Sequence, residues 1–284
     1  MNKKDSEFRN LQDLEEMERE KILAVRQLVE REDPAYKEKC LGICIYLLVQ
    51  EEDDFLTIRR FLRARDLDVE KAASMFLKYL KWRRDFLPRG SVLPSEIQNE
   101  LAQKKAFLQG YDKQGRPVVV FRGCKHFQTK GGEFKRLVIY ILQKACEKML
   151  LGQEKIVFIV DLKGWGYANS DIRANIDLLN ILQNYYPERL GKVIMLHVPY
   201  IFLAVWKLTC PFIDPKTREK IVFVENKRVK SVLLEDIEES EMAEIYGGRL
   251  PLCPIEEAST ECNRVNKFLE ESKYSSINLN GENK

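Results

Sequence analysis

The sequence has few of the residues on which catalytic and metal-binding proteins of its size depend. Among its 284 residues are two histidines and seven cysteines. Imidazole is the commonest acid–base group and metal ligand, so metal ligation and proton transfer have few residues to use here. The cysteines form an odd set without zinc-type Cys-x-x-Cys pairs, which favours free thiols in a reducing compartment.

Long apolar runs and a strong excess of one charge are also missing. The longest apolar run, Cys40 to Val49, has ten residues, whereas a membrane-spanning helix needs roughly 20. The N-terminus is polar and neither end carries a lipidation motif, so the sequence predicts no secretory signal and no lipid anchor. The net charge is only +3, without the concentrated basic surface that nucleic acids require. We expect a cytoplasmic protein that binds no nucleic acid and meets membranes only transiently, at their surface.

The signature loops of α/β enzymes are absent as well. The sequence has no phosphate-binding loop and no nucleophile elbow, and its one Gly-x-Gly, Gly164-Trp165-Gly166, lacks the third glycine of a dinucleotide site. The sequence therefore predicts no catalytic residues, no metal and no cofactor. Asp161 ends a predicted strand, where α/β ligand sites form, but capping of the following turn is an alternative. For His197, also at a strand end, we expect a hydrogen-bonded structural role.

The residues that are present predict two kinds of architecture. Apolar residues at helical spacing dominate the first hundred residues and predict a helical bundle, with segments at 5–33, 54–65, from Asp68 onward, and 96–106. Four short runs rich in β-branched residues follow, at 118–121, 156–160, 193–196 and 221–224. Helical patterns separate them, at 134–150, 171–185 and 200–210. This alternation predicts an α/β fold with a largely parallel sheet.

One of these helical patterns is almost entirely apolar. It is bounded by Pro199 and Pro211 and is interrupted only by Lys207 and Thr209. A helix that covers a sheet normally keeps one polar face toward water. Two interpretations fit: a helix buried beneath another layer, or a lid over an apolar cavity that swings into a bilayer surface and gains free energy from the apolar area buried there.

Seven segments together resemble a known family. They are Phe61-Leu62-Arg63-Ala64-Arg65, Lys81-Trp82-Arg83, Gly115-Arg116-Pro117-Val118, Asp161-Leu162-Lys163-Gly164, Tyr185-Tyr186-Pro187-Glu188-Arg189-Leu190-Gly191-Lys192, Pro211-Phe212-Ile213-Asp214-Pro215 followed by Lys220, and Tyr246-Gly247-Gly248. In this order and spacing they resemble the CRAL-TRIO lipid-binding domains, specifically the secretory-pathway type of phosphatidylinositol transfer protein and its plant branch. The resemblance covers about residues 50 to 252.

The resemblance implies a domain organisation. It implies an N-terminal helical region at 1–106 and a CRAL-TRIO domain at 107–253, followed by a polar tail at 254–284. In this tail the apolar spacing of Val265, Phe268 and Leu269 predicts a short docking helix. The CRAL-TRIO domain would have a mostly parallel sheet flanked by helices and an apolar lipid pocket. The apolar helix would be a gate over that pocket, with the gate residues Ile201, Phe202, Val205, Trp206 and Phe212.

The resemblance also implies a headgroup site made of Arg65, Glu188, Thr217 and Lys220. The chemistry suits an inositol phosphate, because the cations bind the phosphodiester and the carboxylate accepts from sugar hydroxyls. Glu188 would also pair with Lys220, so that neither charge is buried alone. For each of the four, an ordinary surface salt bridge is the alternative.

The sequence departs from the family pattern at two places. Ile156 and Phe158 stand where relatives that carry phosphatidylcholine have hydroxyl side chains, so these pocket-wall residues predict weak binding of phosphatidylcholine. The apolar segment at residues 40–49 has no counterpart, and it predicts either packing into the helical bundle or an exposed patch.

The expected function is therefore to bind a single phospholipid, phosphatidylinositol, and to exchange it between membranes or present it to lipid-modifying enzymes such as a phosphoinositide kinase. The alternatives are a carrier of a sterol or terpenoid, which would be indifferent to Lys220 and Thr217, and a lipid-sensing regulatory scaffold. An enzyme would need Asp161 or His197 for turnover.

Overall fold

A computed structural model describes residues 3–36, 47–129, 132–150 and 152–258. They form two compact units. The first contains Met1–Gly90 and Asn180–Glu188, and the second contains Ser91–Leu179 and Arg189–Lys284. The N-terminal segment of the first compact unit thus ends at Gly90. The domain boundaries predicted at 106/107 and 253/254 stay predictions.

The first unit is built on long helices, as the apolar spacing predicts. Its described helices are α1 (Lys3–Glu32), α2 (Leu47–Arg63) and α3 (Val69–Phe86). Asp68 caps α3 as predicted, because its carboxylate accepts a hydrogen bond of 3.0 Å from the Lys71 backbone N–H. The three helices bury one apolar core, which includes Val25, Val29, Phe61, Leu62 and Phe76.

The second unit contains a five-stranded sheet with the order β1-β2-β3-β4-β5. Its strands are β1 (Ala106–Tyr111), β2 (Pro117–Arg122), β3 (Ile156–Asp161), β4 (Leu190–Leu196) and β5 (Ile221–Phe223). The pairs from β2 to β5 are parallel, while β1 pairs antiparallel with β2. The predicted α/β fold with N-terminal helices and a mostly parallel sheet is confirmed.

The edge strand β1 is the main correction to the sequence prediction. Residues 96–106 were predicted to be one helix, but the structure has a 3₁₀ turn at Pro94–Glu96 and a short α4 at Gln98–Leu101. At Ala106 the chain becomes a strand, because it pairs there with β2. Pairing with a neighbouring strand overrides a weak helical pattern.

The remaining helices of the described chain lie between the strands or after β5 in the order of the chain. They are α5 (Glu133–Glu147), α6 (Ile172–Tyr185), α7 (Tyr200–Thr209), α8 (Pro215–Arg218) and α9 (Val229–Asp236). The predicted helices at 134–150, 171–185 and 200–210 match α5, α6 and α7. The short helices α8 and α9 were not predicted.

The two faces of the sheet differ in burial. On one face, Val120, Val157, Ile159 and Leu196 pack into a closed core with Leu233 of α9. On the other face, Phe121 of β2 meets the Phe134 ring of α5 at a centroid distance of 6.4 Å. From β3 to β5, however, Ile156 and Met195 are buried on this second face while its other apolar side chains are only half-buried or exposed. We call these half-buried or exposed residues the open face: Phe158, Val160, Val193, Ile221 and Phe223.

The predicted polar tail begins on the sheet rather than as a loose segment. The Ile255 backbone N–H donates to the Ala106 carbonyl at 3.2 Å, and the Ile255 and Ala258 side chains are buried. The chain therefore follows the edge of β1 from Cys253 to Ile255. The predicted docking helix at Val265, Phe268 and Leu269 lies outside the described residues, as does 40–46 of the apolar segment.

Candidate functional site

Helix α7 turns an apolar face to solvent. Tyr200 is 92% exposed, Leu203 42% and Leu208 58%, and Phe212 in the 3₁₀ turn that follows is 52% exposed. These residues recur at helical spacing, so they share one side of the helix, together with exposed Lys207. In the part of the chain that the structure describes, no layer covers this side. The interpretation of a helix buried on all sides is wrong for the described residues.

The opposite side of α7 is attached to the sheet unit by aromatic contacts. The Trp206 ring meets Phe223 of β5 edge-on at 5.1 Å between centroids, and the Phe202 ring meets Trp165 at 5.4 Å. Val205 is buried. These contacts place α7 beside the open face of the sheet.

Most of the gate residues named from the sequence are on this inner side. Ile201, Phe202 and Trp206 are half-buried and Val205 is buried, whereas Phe212 is exposed. The outer residues Tyr200, Leu203 and Leu208 were not among the gate residues predicted from the sequence. Their signal was the helical period shared with Lys207, because a charged side chain on a covered helix marks the side that faces water.

Two of the predicted headgroup residues are brought together by one short element. The Asp214 carboxylate caps α8 by accepting from the Thr217 N–H at 2.9 Å, and the Thr217 carbonyl accepts from the Lys220 N–H at 3.1 Å. The Lys220 carbonyl in turn accepts from the Val193 N–H of β4 at 2.8 Å. Both side chains are half-buried. The cap and the sheet thus fix Thr217 and Lys220 one turn apart.

The other two predicted headgroup residues belong to the first unit. Arg65 lies in the turn between α2 and α3, where its guanidinium donates to the Ala64 carbonyl at 2.9 Å. Glu188 has a left-handed backbone with φ of 58°. It follows Tyr185, whose ring stacks on Trp82 of α3 at 4.3 Å. It stays a prediction that all four side chains bind the same lipid headgroup.

The two pocket-wall residues share one side of β3 but differ in access. Side chains alternate along a strand, so Ile156, Phe158 and Val160 point to the same side. Ile156 is completely buried, whereas Phe158 is half-buried on the open face. Of this pair, Phe158 is therefore the one whose side chain a ligand on the open face would meet.

A buried carboxylate joins the end of β3 to two distant residues. One Asp161 oxygen accepts the Lys163 backbone N–H at 2.9 Å and lies 2.8 Å from His197 Nδ1, and the other accepts the Tyr246 hydroxyl at 3.1 Å. The turn-capping role of Asp161 and the hydrogen-bonded role of His197 are confirmed. Burial, with the adjacent Asp161 charge, raises the pKa of the Tyr246 hydroxyl, which therefore stays protonated.

Two further observations concern membranes and metals. None of the described helices is both long enough and apolar enough to cross a bilayer. Within the same residues, no group of three or more His, Cys, Asp or Glu side chains is placed to hold a metal ion.

Comparison with known families decides what kind of domain this is. The sequence profile of the CRAL/TRIO domain matches residues 101–248, which is more than half of the chain. The chain belongs to the CRAL/TRIO domain family. Domains of this family bind small lipophilic ligands, which agrees with an apolar open face beside an apolar helix.

Several curated CRAL/TRIO relatives are similar over much of the chain. A CRAL-TRIO domain-containing protein of Schizosaccharomyces pombe is 36% identical over 183 residues, which are 63% of this chain and 18% of that protein. Patellin-5 of Arabidopsis thaliana is 28% identical over 258 residues, which are 85% of this chain and 38% of Patellin-5. A CRAL-TRIO domain-containing protein of Saccharomyces cerevisiae is 29% identical, over 70% of this chain and 72% of that protein. The chain thus spans well under half of the first two relatives.

A solved structure shows the same fold. The crystal structure of Sfh5 matches with a TM-score of 0.57, covers 87% of this chain and 98% of Sfh5, and is 18% identical in sequence. The predicted CRAL-TRIO family and the predicted fold class are confirmed. The secretory-pathway type and the plant branch stay predictions.

Proposed function

We propose that the chain binds one phospholipid at a time, preferentially phosphatidylinositol, and exchanges it at membrane surfaces. The observation that carries this proposal is the double-sided character of α7. Its inner residues contact an apolar sheet face that the described residues leave half-uncovered, while its outer residues are apolar and exposed within the same part of the chain.

The open face suits acyl chains. Phe158, Val160, Val193, Ile221 and Phe223 offer carbon surface without a polar side chain. Covering such surface with hydrocarbon gains about 25 cal/mol for each Å² removed from water. The outer side of α7 gains in the same way when it enters the bilayer boundary, which offsets the cost of lifting α7 from the sheet.

The headgroup preference rests on the four residues carried over from the family pattern. Arg65 and Lys220 are cations that bind a phosphodiester, Glu188 accepts hydrogen bonds from sugar hydroxyls, and Thr217 both donates and accepts. The cap and sheet contacts hold the backbone at Thr217 and Lys220 in place. They support this assignment, because less backbone has to be ordered when the two side chains bind. Such a carrier would either move the lipid between membranes or present it to a phosphoinositide kinase.

A transfer assay tests the proposal. Purified protein is mixed with donor vesicles that contain labelled phosphatidylinositol and with unlabelled acceptor vesicles, and the appearance of label in the acceptors is followed. The double variant Glu188→Ala/Lys220→Ala should transfer at least about tenfold more slowly, because two charge-assisted contacts are lost. Its thermal midpoint should stay close to that of the original protein.

The matched control is Lys216→Ala/Glu219→Ala. It also removes one cation and one anion from exposed positions beside Thr217, and it should transfer at the original rate. Equal losses in both double variants would assign the effect to general electrostatics. If the original protein moves no phosphatidylinositol, the proposal is wrong.

A carrier of a sterol or terpenoid is the second candidate, and the wholly apolar open face favours it. Such a ligand has no phosphate, so its binding would not change in Glu188→Ala/Lys220→Ala. Mass spectrometry of the lipid that co-purifies from a eukaryotic host separates the two candidates directly.

A further inference from the structure

The hydrogen-bonded residues Asp161, His197 and Tyr246 lie at the start of α7 and are not part of the proposed lipid contacts. His197 follows the last residue of β4, and only Val198 separates it from Pro199, the N-cap of α7. The first turn of the helix closes there, where the Phe202 N–H donates to the Pro199 carbonyl at 2.9 Å. Any rotation of α7 about its N-terminal end must therefore pass through the segment His197 to Pro199.

The backbone of His197 is held in an uncommon conformation. Its φ is 52°, in the left-handed region that costs a residue with a Cβ free energy. A carboxylate can only accept, so Nδ1 of His197 carries the proton in the 2.8 Å contact with Asp161. This side-chain contact offsets the backbone strain and fixes the direction in which the chain leaves β4.

Asp161 also controls one of the two aromatic attachments of α7. The turn that it caps runs through Gly164, which has a φ of 76°, to Trp165, whose N–H donates to the Leu162 carbonyl at 2.9 Å. Trp165 is the residue that meets Phe202 of α7. The same carboxylate thus orders both the hinge before the helix and a ring that contacts the helix.

Tyr246 holds the carboxylate in place from a third element. It lies in the 3₁₀ turn Glu244–Tyr246, is only 6% exposed, and its side chain packs in the closed core of the sheet. Arg122 is the register partner of Asp161 on β2, and its positive charge acts on the Tyr246 hydroxyl against the larger effects of burial and of Asp161. With three donors on one buried carboxylate, loss of any donor leaves an acceptor under-satisfied.

The geometry points to Asp161, His197 and Tyr246 as a clamp that positions α7 and sets how often it opens. These are positioning residues, because they act on the ligand only through α7. The link between the opening rate and lipid exchange rests on the proposed function. The positioning of α7 by the clamp does not depend on that function.

Amide hydrogen exchange on the full chain tests the clamp without any ligand. Tyr246→Phe removes one hydroxyl and keeps the ring, so exchange of the α7 amides should accelerate about tenfold. Exchange in α9, which packs on the closed core, should not change. Equal acceleration in both helices would show a general loss of stability, and unchanged exchange in α7 would overturn the clamp.

Two substitutions of His197 separate its backbone from its side chain. His197→Gly accepts a positive φ without strain but has no donor, and His197→Asn tolerates a positive φ and offers an amide N–H to Asp161. The clamp predicts fast α7 exchange in the glycine variant and near-original exchange in the asparagine variant. If both variants behave alike, the side-chain contact does not hold the hinge.

Vesicle transfer then links the clamp to function. Tyr246→Phe should transfer lipid faster than the original protein while retaining the same amount of co-purified lipid. If no lipid is transferred by any variant, the proposed function fails, yet the amide-exchange result still decides the clamp.

Discussion

The edge-on contact between Trp206 on α7 and Phe223 on β5, at 5.1 Å between ring centroids, orients the whole helix. Because Trp206 points toward the sheet, side chains on the opposite side of the helix cannot pack into the same core. Leu203 and Leu208 are therefore directed to solvent by a contact that neither of them makes. Helix α7 is thus apolar on both sides, but only the side that carries Trp206 packs on the sheet.

Replacing Leu203 and Leu208 with serine should weaken binding to vesicles. Both side chains are exposed in the described structure, so their loss should leave the unfolding free energy nearly unchanged. Each leucine that enters a bilayer boundary contributes apolar burial, and losing two should lower the vesicle partition coefficient about tenfold or more. Vesicle flotation measures the partition coefficient, and thermal unfolding checks the fold.

The control for this prediction is Leu150→Ser. Leu150 follows α5, is 53% exposed and belongs to the same unit as α7. This variant should partition like the original protein. A similar loss in both cases would show that membrane contact is not confined to α7.

The substitution Phe158→Thr should broaden the choice of lipid. It places a hydroxyl on the open face at the position where the family resemblance implies one in carriers of phosphatidylcholine, and it removes most of an aromatic ring. We expect phosphatidylcholine to appear among the lipids extracted from this variant, while the original protein retains little of it. Lipid extraction followed by mass spectrometry measures the ratio.

Val193→Thr is the matched control, because Val193 lies beside Phe158 in the sheet register and on the same open face. A hydroxyl there should not recruit phosphatidylcholine. Abundant phosphatidylcholine in the original protein would contradict the selectivity that we infer from Phe158.

Stability should depend on pH through His126, which is buried beside Lys105. Its Nδ1 lies 2.9 Å from the Lys105 ammonium, and Lys105 also forms a buried ion pair with Glu100. Burial, and then the Lys105 charge, lowers the pKa of His126 from 6.5 to about 4. Between these values the unfolded chain binds a proton that the folded chain does not.

The unfolding free energy should therefore fall as the pH drops from about 6.5 to about 4, by roughly 3 kcal/mol from this residue. Urea denaturation at several pH values measures the slope. His126→Gln keeps a polar partner for Lys105 but cannot titrate, so its slope over this range should be smaller by that amount. The same slope in both proteins would mean that His126 is protonated in the folded state.

Much of the fold was predictable because it depends on short-range patterns. The strands β2 to β5 and helices α5, α6 and α7 follow from local runs and periods, and the cap at Asp68 follows from one residue type before one helix. The edge strand β1 did not follow, because an edge strand is defined by its partner. Residues 106–111 become a strand only where β2 offers a free edge.

For the candidate site, the amino-acid sequence by itself determined the apolar character of α7 and its proline boundaries, and it supplied the four residues that we propose for the headgroup. Only the tertiary structure decided which side of α7 faces solvent and that Asp161 reaches both His197 and Tyr246. The physical reason is range: composition and periodicity are properties of neighbours along the chain. A hydrogen bond between residues 85 positions apart depends on how separate elements pack.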